Sequence, residues 1–221
     1  MSFVNNRNEL DGFEIDLIRE VAKETGFDIE LINVEWAGLL GGLITKKYDM
    51  VISSVTILDE RKQRMSFSIP YLKSGLAMVV RKDLEGINSL EDAAQKNLRV
   101  GAQVGSTAYF FLEKFPGIQK KGYQLHGHAV ADLIKGEIDM VVGESTGTLY
   151  YKNRQIELFQ KIKMVGEILT EEHYGIVMRQ EDTELQKKIN DALTRILRTG
   201  VVQKLHKKWD LGTAASVPTF P

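Results

Sequence analysis

Two stretches of the chain nearly repeat one another, ninety residues apart. Residues 43–53 read LITKKYDMVIS and residues 133–143 read LIKGEIDMVVG. Each starts with Leu-Ile, continues through polar residues with a lysine, and reaches Asp-Met-Val. A helix that ends and delivers the chain into a buried strand would explain both stretches. The repeat therefore predicts two α/β halves with the same helix–turn–strand unit, although such short matches also arise by chance.

The first half alternates between helical and strand patterns. Residues 14–25 carry apolar side chains at helical spacing, and Gly26 follows as a stop. Residues 27–34 alternate as a strand does, residues 37–47 predict a second helix, and residues 48–55 predict a short buried strand. This order indicates βαβ units around a parallel sheet.

The second half restarts the pattern after Lys82. It predicts helices over 90–96, 106–115, 129–136 and 146–154, and strands or extended segments over 98–104, 123–128, 138–144, 161–169 and 174–179. The last strong helix spans 184–198, with Thr183 as its N-cap and Gly200 as its stop.

Composition excludes several classes of function. The 29 basic and 30 acidic residues give a net charge of −1, so no strong field favours nucleic acid or an acidic membrane. There is no cysteine, and only His126 and His128 of the four histidines are close in sequence, without a third ligand spaced for zinc. We therefore predict no metal site and no cofactor. No apolar run approaches the roughly 20 residues of a membrane span.

Polar side chains follow the strand of the first repeat stretch. Open α/β sheets bind ligands at the carboxyl ends of their strands, where Ser53, Ser54 and Thr56 offer hydroxyl and backbone N–H groups. Arg61 could hold a carboxylate with its guanidinium fork, or could be one solvated charge of the run DERKQR. Trp36 could stack on a ligand or be a half-buried core residue.

The second stretch leads to a matching set of groups. Glu144 could accept a ligand ammonium group, or could be an ordinary acid at a helix N-terminus. Ser106 and Thr107 could contact an anion at a helix start, with helix capping as the alternative. Gln103 could hydrogen-bond a side-chain amide or carboxylate of a ligand. Neither a P-loop nor a Gly-x-Ser-x-Gly elbow is present.

The motifs together resemble a known family. The chain is similar to the family 3 extracytoplasmic solute-binding proteins, the polar amino acid binders of ABC importers. The resemblance covers residues 3–209 in the family's order, and DERKQRMSFSIPY is its most specific segment. The other matching motifs are GFEIDLIREVAKETG, VEWAGLLGGLITKKYDMVISSVT, VGAQVGSTA, GEIDMVVGES and ILRTGVVQKLHKKW.

The resemblance implies an α/β, two-lobed Venus-flytrap fold. Each lobe would hold a mainly parallel sheet flanked by helices, and two hinge strands would lie at 77–82 and 174–179. Lobe 1 would comprise 1–80 plus 179–221, and lobe 2 would comprise 81–178.

The resemblance also implies a role for each candidate residue. Trp36 would pack on the ligand stem, and Ser54 and Thr56 would supply polar contacts. Arg61 would clamp the α-carboxylate. On the other lobe, Ser106 or Thr107 would contact the same anion, and Glu144, commonly Asp in the family, would take the α-ammonium group.

The function implied is binding of a free, polar amino acid between the lobes and its delivery to an ABC importer. The protein would be an extracytoplasmic monomer whose leader is absent from this sequence, and it would not be an enzyme. One alternative is a sensor domain of a receptor or kinase. Another is a dehydratase-like enzyme with Glu144 or His173 as general acid, although a complete zwitterion clamp argues against it.

The two ends of the sequence depart from the family. Family members open with a strand ahead of the stretch matched by MSFV, and TAASVPTFP at 213–221 extends beyond the usual end. The tail either fills the position of that first strand, as in a circular permutant, or is a disordered linker. We favour the linker, because the segment is a poor strand. Without a strand there, lobe 1 would be less stable or would pair its exposed edge with a second chain.

Overall fold

The computed structural model describes residues 1–147, 155–213 and 215–219. The chain divides into two compact units. Unit 1 comprises Met1–Lys73 and Glu172–Pro221, and unit 2 comprises Ser74–Glu171. Of the predicted helix 146–154, residues 148–154 lie outside the described residues.

Short strands and helices alternate along both units. In chain order the strands are β1 Ser2–Val4, β2 Leu10–Gly12, β3 Met50–Val51, β4 Met65–Phe67, β5 Leu72–Ser74, β6 Leu76–Arg81, β7 Arg99–Gln103, β8 Gln119–Tyr123, β9 Met140–Glu144, β10 Ile162–Val165, β11 Glu172–Tyr174 and β12 Val177–Arg179. The helices are Phe13–Thr25, Trp36–Ile44, Asp59–Lys62, Leu90–Gln95, Thr107–Phe111, His126–Lys135, Ile156–Phe159, Thr183–Arg198 and Val201–Lys208, with a 3-10 turn at Leu112–Lys114. Within the described residues, no helix combines the length and the apolar character that crossing a membrane requires.

Unit 1 contains a three-stranded sheet in the order β3-β12-β4, with β12 antiparallel to both neighbours. The prediction of a parallel sheet in this unit is therefore wrong for these strands. The predicted strand 27–34 is also absent, because this stretch pairs with no described strand and its apolar side chains are half-buried or, at Ile32, exposed. The helix Phe13–Thr25 ends at Gly26, whose φ of 72° is the left-handed conformation that glycine adopts without strain.

Unit 2 contains a five-stranded sheet in the order β10-β6-β9-β7-β8. The strands β7, β8 and β9 run parallel, whereas β6 is antiparallel to β9 and β10. The predicted strand at 123–128 is misplaced: the strand is Gln119–Tyr123 and a helix already begins at His126. That helix buries Ala129, Val130 and Leu133, and it begins at His126 instead of at the predicted residue 129.

Side chains of β6 alternate between two hydrophobic clusters. Leu76, Met78 and Val80 belong to one cluster, and Val79 belongs to the other. Both faces of this strand are therefore covered, which explains its continuous run of apolar residues.

The two repeat stretches hold the same local structure. In unit 1, Arg179 Nη1 donates to the carbonyl oxygens of Leu43, at 3.4 Å, and Tyr48, at 2.8 Å. In unit 2, Arg81 Nη1 donates to Leu133 O at 3.2 Å and to Ile138 O at 2.9 Å.

These four carbonyls occupy matching positions of LITKKYDM and LIKGEIDM. In each unit, an arginine at the end of an antiparallel strand thus joins the last turn of the helix to the start of the following strand. We call this arrangement the arginine bracket.

The segments that the resemblance implied as hinge strands lie largely inside the sheets. The strand β6 has hydrogen-bonded neighbours on both sides, and so does β12. The chain passes from one unit to the other at 73–74 and 171–172, where β5 and β11 pair with each other.

The described part of the tail is ordered against unit 1. Ser216 and Lys73 exchange two backbone hydrogen bonds, of 2.7 and 2.8 Å, and Ala215 is buried. Our preference for a disordered linker is therefore wrong over these residues. Within residues 215–219 the tail pairs with β5, and no backbone hydrogen bond joins these residues to 28–34 or 47–53.

Candidate ligand-binding site

In unit 1, three of the predicted residues lie just after β3. Thr56 is buried, and its hydroxyl donates to Glu172 Oε2 at 2.8 Å. Its backbone carbonyl accepts a hydrogen bond of 3.0 Å from Arg61 Nη1. The Thr56 hydroxyl is thus engaged within the protein, while Ser53 and Ser54 remain partly exposed.

Arg61 points back towards the strand end. It lies in the short helix Asp59–Lys62, where its neighbour Lys62 keeps a side chain that is 53% exposed. Arg61 is half-buried, and its hydrogen bond to Thr56 O holds the guanidinium beside that carbonyl. This placement distinguishes Arg61 from the solvated charges around it.

Glu14 supports this group, although it is not among the residues predicted from the sequence. The carboxylate is fully buried and accepts hydrogen bonds from Ser54 N and Oγ, from the Tyr71 hydroxyl and from the Met1 ammonium. Burial raises the pKa of Glu14, but the ammonium charge and these hydrogen bonds outweigh it and leave the pKa lowered. Ser54 has a φ of 49°, so this network fixes it in a conformation that serine rarely adopts.

A sequence signal for Glu14 was present. It lies on the same helical stripe as Leu17, Ile18 and Val21, all of which are buried. An acid on the apolar face of a helix needs partners, and that position could have marked it.

Trp36 opens the helix Trp36–Ile44 and is half-buried. It packs against the hydrophobic cluster that contains Val51 and Val55. The side chain therefore lies against the strand that leads to the serines, and part of its role is that of a core residue.

In unit 2, Gln103 and Glu144 lie at the same edge of the sheet. They are the last residues of β7 and β9, which are adjacent and parallel. The Gln103 amide donates from Nε2 to Gln124 O at 2.9 Å. This edge is where an open α/β sheet presents its binding groups.

The neighbouring hydroxyls of Ser106 and Thr107 differ in their use. Ser106 Oγ accepts from Tyr109 N at 3.2 Å and donates to Gln103 O at 2.7 Å, so Ser106 is an N-cap. The Thr107 hydroxyl oxygen is buried and has no hydrogen-bond partner within the described residues. A buried hydroxyl without a partner is costly, and a ligand group could satisfy it.

His126 lies beneath the residue that precedes Glu144. A Cβ atom added to Gly143 would lie 2.6 Å from His126 Cε1, so only glycine allows this close approach. Burial lowers the pKa of His126 to about 4, which keeps the imidazole neutral at physiological pH. The described residues hold no cluster of three metal-ligating side chains.

Known proteins resemble the chain over nearly its whole length. The model of the bacterial extracellular solute-binding proteins, family 3, matches residues 1–213. The L-cystine-binding protein TcyJ of Escherichia coli strain K12 is 30% identical over 210 residues, which covers 94% of this chain and 77% of TcyJ.

Solved structures match as well. An ancestral arginine-binding protein bound to glutamine is 35% identical, with a TM-score of 0.88 and coverage of 96% of this chain and 92% of that protein. An ancestral amino acid-binding protein, a precursor of cyclohexadienyl dehydratase, is 30% identical, with a TM-score of 0.86 and coverage of 94% of this chain and 90% of that protein.

The predicted two-lobed α/β fold class is thereby confirmed. The motifs that suggested the family lie on the elements described above, and the family model covers them all. The chain belongs to the bacterial extracellular solute-binding proteins, family 3.

Proposed function

We propose that this protein binds one free, polar amino acid and presents it to the membrane subunits of an ABC importer. The ligand engages both units. Arg61 of unit 1 and Thr107 of unit 2 bind its α-carboxylate, and Glu144 of unit 2 binds its α-ammonium group. Ser53, Ser54 and Trp36 contact the rest of the ligand from unit 1.

The position of Arg61 carries this proposal. Its guanidinium is held at a strand end by a hydrogen bond to Thr56 O, and a planar guanidinium fork suits a carboxylate. Glu144, the last residue of β9 in unit 2, supplies the opposite charge, and a guanidinium and a carboxylate together suit a zwitterion. The buried Thr107 hydroxyl adds a further donor.

Ser106 is left out of the proposed contacts because its hydroxyl is used as a helix cap. Thr56 acts as a positioning residue: its carbonyl orients Arg61, while its hydroxyl is bonded to Glu172. Gln103 remains a candidate for a polar ligand side chain through its amide oxygen.

The names of similar proteins support an amino acid as the ligand. They include a cystine-binding protein, an ancestral arginine-binding protein bound to arginine and an ancestral arginine-binding protein bound to glutamine. We further propose that the protein acts outside the cytoplasm as a monomer and without catalysis. The similarity to a precursor of a dehydratase makes cyclic carboxylates a necessary part of any ligand screen.

A thermal-shift screen of the twenty amino acids, with several cyclic carboxylates, tests the proposal. A ligand present at 100 times its Kd stabilises the native state by about 2.7 kcal/mol, which raises Tm by several degrees in a protein of this size. We expect a shift with one amino acid or a small group of them. It should disappear in Arg61→Ala and persist in Arg64→Ala.

Arg64 is a matched control, because it is an exposed arginine of the same charged run. A shift with cyclic carboxylates alone would contradict amino acid binding, and equal shifts in the two variants would contradict the proposed role of Arg61. Conversion of a cyclic carboxylate by the protein would favour the dehydratase alternative.

A further inference from the structure

The helix His126–Lys135 places a histidine on its buried face. Three residues of this helix pack in one hydrophobic cluster with Val141 of β9: Ala129, Val130 and Leu133. His126 precedes them by three, four and seven residues, which is the spacing of one helical face. It therefore lies on the side of the helix that faces the sheet, and it is half-buried there.

Two glycines leave room for the His126 ring. A Cβ atom added to Gly143 would lie 2.6 Å from Cε1 and 2.9 Å from Nδ1 of the imidazole. A Cβ atom added to Gly147 would lie 3.4 Å from Nε2 and 3.7 Å from Cδ2. One edge of the ring thus lies over Gly143 and another edge lies beside Gly147, so the imidazole occupies space that side chains at these positions would fill.

The two glycines enclose Glu144. The strand β9 ends at Glu144, and residues 145–147 are helical. Because glycine restricts the backbone least of all residues, a segment with glycine at both ends depends on its neighbours for a fixed conformation. We call residues 143–147 the Glu144 corner.

Hydrogen bonds and the His126 ring hold different parts of the Glu144 corner. Ser145 N donates to Gly75 O at 2.9 Å, and the Ser145 hydroxyl lies 2.9 Å from the hydroxyl of Ser74. The imidazole lies against the two glycines. Hydrogen bonds therefore hold the middle of the corner, and the ring holds its ends.

We propose that His126 is a positioning residue for amino acid binding: its ring holds the Glu144 corner so that the Glu144 carboxylate meets the α-ammonium group of the ligand. The inference rests on the proposed function, which assigns that group to Glu144. Burial also lowers the pKa of His126 to about 4, so the ring is uncharged at neutral pH and does not compete with the ammonium group for the carboxylate.

A purely structural role of His126 makes a different prediction. A ring that only stabilises unit 2 changes the free energy of unfolding, and its removal weakens every ligand of the site to the same extent. A ring that positions Glu144 affects only those ligands that carry the ammonium group. The deamino analogue of an amino acid lacks this group and keeps the carboxylate, so comparison of the two compounds separates the two roles.

Calorimetric titration of the full chain measures this comparison. The probes are the amino acid with the largest thermal shift in the screen and its deamino analogue. We expect wild-type protein to prefer the amino acid at least about a hundredfold. His126→Ala should reduce this preference at least about tenfold by weakening the amino acid, with the affinity of the deamino analogue changed less than about twofold. His128→Ala removes an exposed histidine of the same helix and should keep the full preference.

Two results would contradict different claims. An unchanged preference in His126→Ala, whether both probes lose affinity or neither does, would overturn the positioning role. Equal binding of the two probes by wild-type protein would show that Glu144 does not bind the ammonium group. That second result would overturn the proposed function together with this inference.

Gly143→Ala tests the contact from the other side. The φ angle of Gly143 is not in the left-handed region, so its backbone accepts alanine, but the new Cβ atom would displace the ring. We expect the preference for the amino acid to fall at least about fivefold, and the addition of His126→Ala to cause no further loss, because the ring is already displaced. Losses that multiply in the double variant would contradict a direct contact between these positions.

Hydrogen exchange of the ligand-free chain tests the Glu144 corner itself. His126→Ala should speed exchange of amides in 143–147 at least about tenfold more than exchange of amides in β7, which lies in the same sheet. Equal acceleration at both places would show that the variant is destabilised as a whole, and would overturn the local support. Circular dichroism checks that each variant folds, and Gly143→Ala provides the same comparison if His126→Ala does not.

Discussion

Thr107 and Ser106 are adjacent hydroxyls that we expect to respond differently to mutation. Thr107→Val removes a buried oxygen without a partner in the described chain, so the free protein should keep or slightly gain stability. Amino acid binding should weaken by about tenfold, because one donor to the carboxylate is lost. Ser106→Ala should instead cost about 1 kcal/mol of stability by removing the N-cap. Urea unfolding and calorimetric titration measure the two quantities, and the reverse pattern would exchange the roles of the two residues.

His126 should make stability dependent on pH. Its pKa is lowered from 6.5 to about 4, so the unfolded chain takes up a proton before the folded protein does. The contribution of neutral His126 to the free energy of unfolding is therefore complete above pH 6.5 and is lost as the pH falls towards 4. This contribution amounts to about 3 kcal/mol at most. His126→Phe should reduce the slope of unfolding free energy against pH in this range. The exposed His128→Phe variant should keep the slope, and an unchanged slope in both would contradict this account.

Among individual residues, the sequence indicated the charged candidates for ligand binding better than the buried residues that position their neighbours. Arg61 and Glu144 stand out in the sequence because each follows a repeat stretch. Glu14 and His126 do not, since their importance depends on what lies across from them: Ser54 in one case and Gly143 in the other. A single sequence gives the residue types but not those long-range contacts.

At the scale of secondary structure, the arginine bracket explains why the repeat stretches resemble each other. Arg179→Met or Arg81→Met removes the donor to two backbone carbonyls at the turn between helix and strand. Each substitution should destabilise the protein by about 2–3 kcal/mol. Arg7, whose side chain is 84% exposed, provides the control, and Arg7→Met should change stability by less than about 0.5 kcal/mol.

Urea unfolding monitored by circular dichroism measures these differences. Losses below about 0.5 kcal/mol in both bracket variants would show that the shared sequence has no common structural role.

The sequence predicted the helices more accurately than it predicted the strands. The helix Thr183–Arg198 shows the apolar period that predicted it, and Gly200 ends it with a φ of 75°. By contrast, residues 27–34 have the alternation of a strand without forming one, because a strand also needs a partner at the right place. The antiparallel direction of β12 in unit 1 depends on residues more than a hundred positions apart, so local patterns could not reveal it.

For the whole molecule, the division of the chain into units comes from residues that are distant in sequence. Unit 1 joins Met1–Lys73 to Glu172–Pro221, and the resemblance rather than the periodicity indicated that arrangement. The proposed site likewise combines residues that are distant in sequence, since Arg61 belongs to one unit and Glu144 to the other. Binding of one ligand by both is therefore the central claim.

Isothermal titration calorimetry of the amino acid identified by the screen, of its primary amide and of its deamino analogue tests that claim most directly. The amide should bind wild-type protein at least about a hundredfold more weakly, because Arg61 loses its charged partner, and the deamino analogue should lose a similar amount through Glu144. In Arg61→Ala the amino acid and its amide should bind with nearly equal affinity, and in Glu144→Gln the amino acid and its deamino analogue should do so. If the amide or the deamino analogue binds wild-type protein as tightly as the amino acid does, the proposed zwitterion site is wrong.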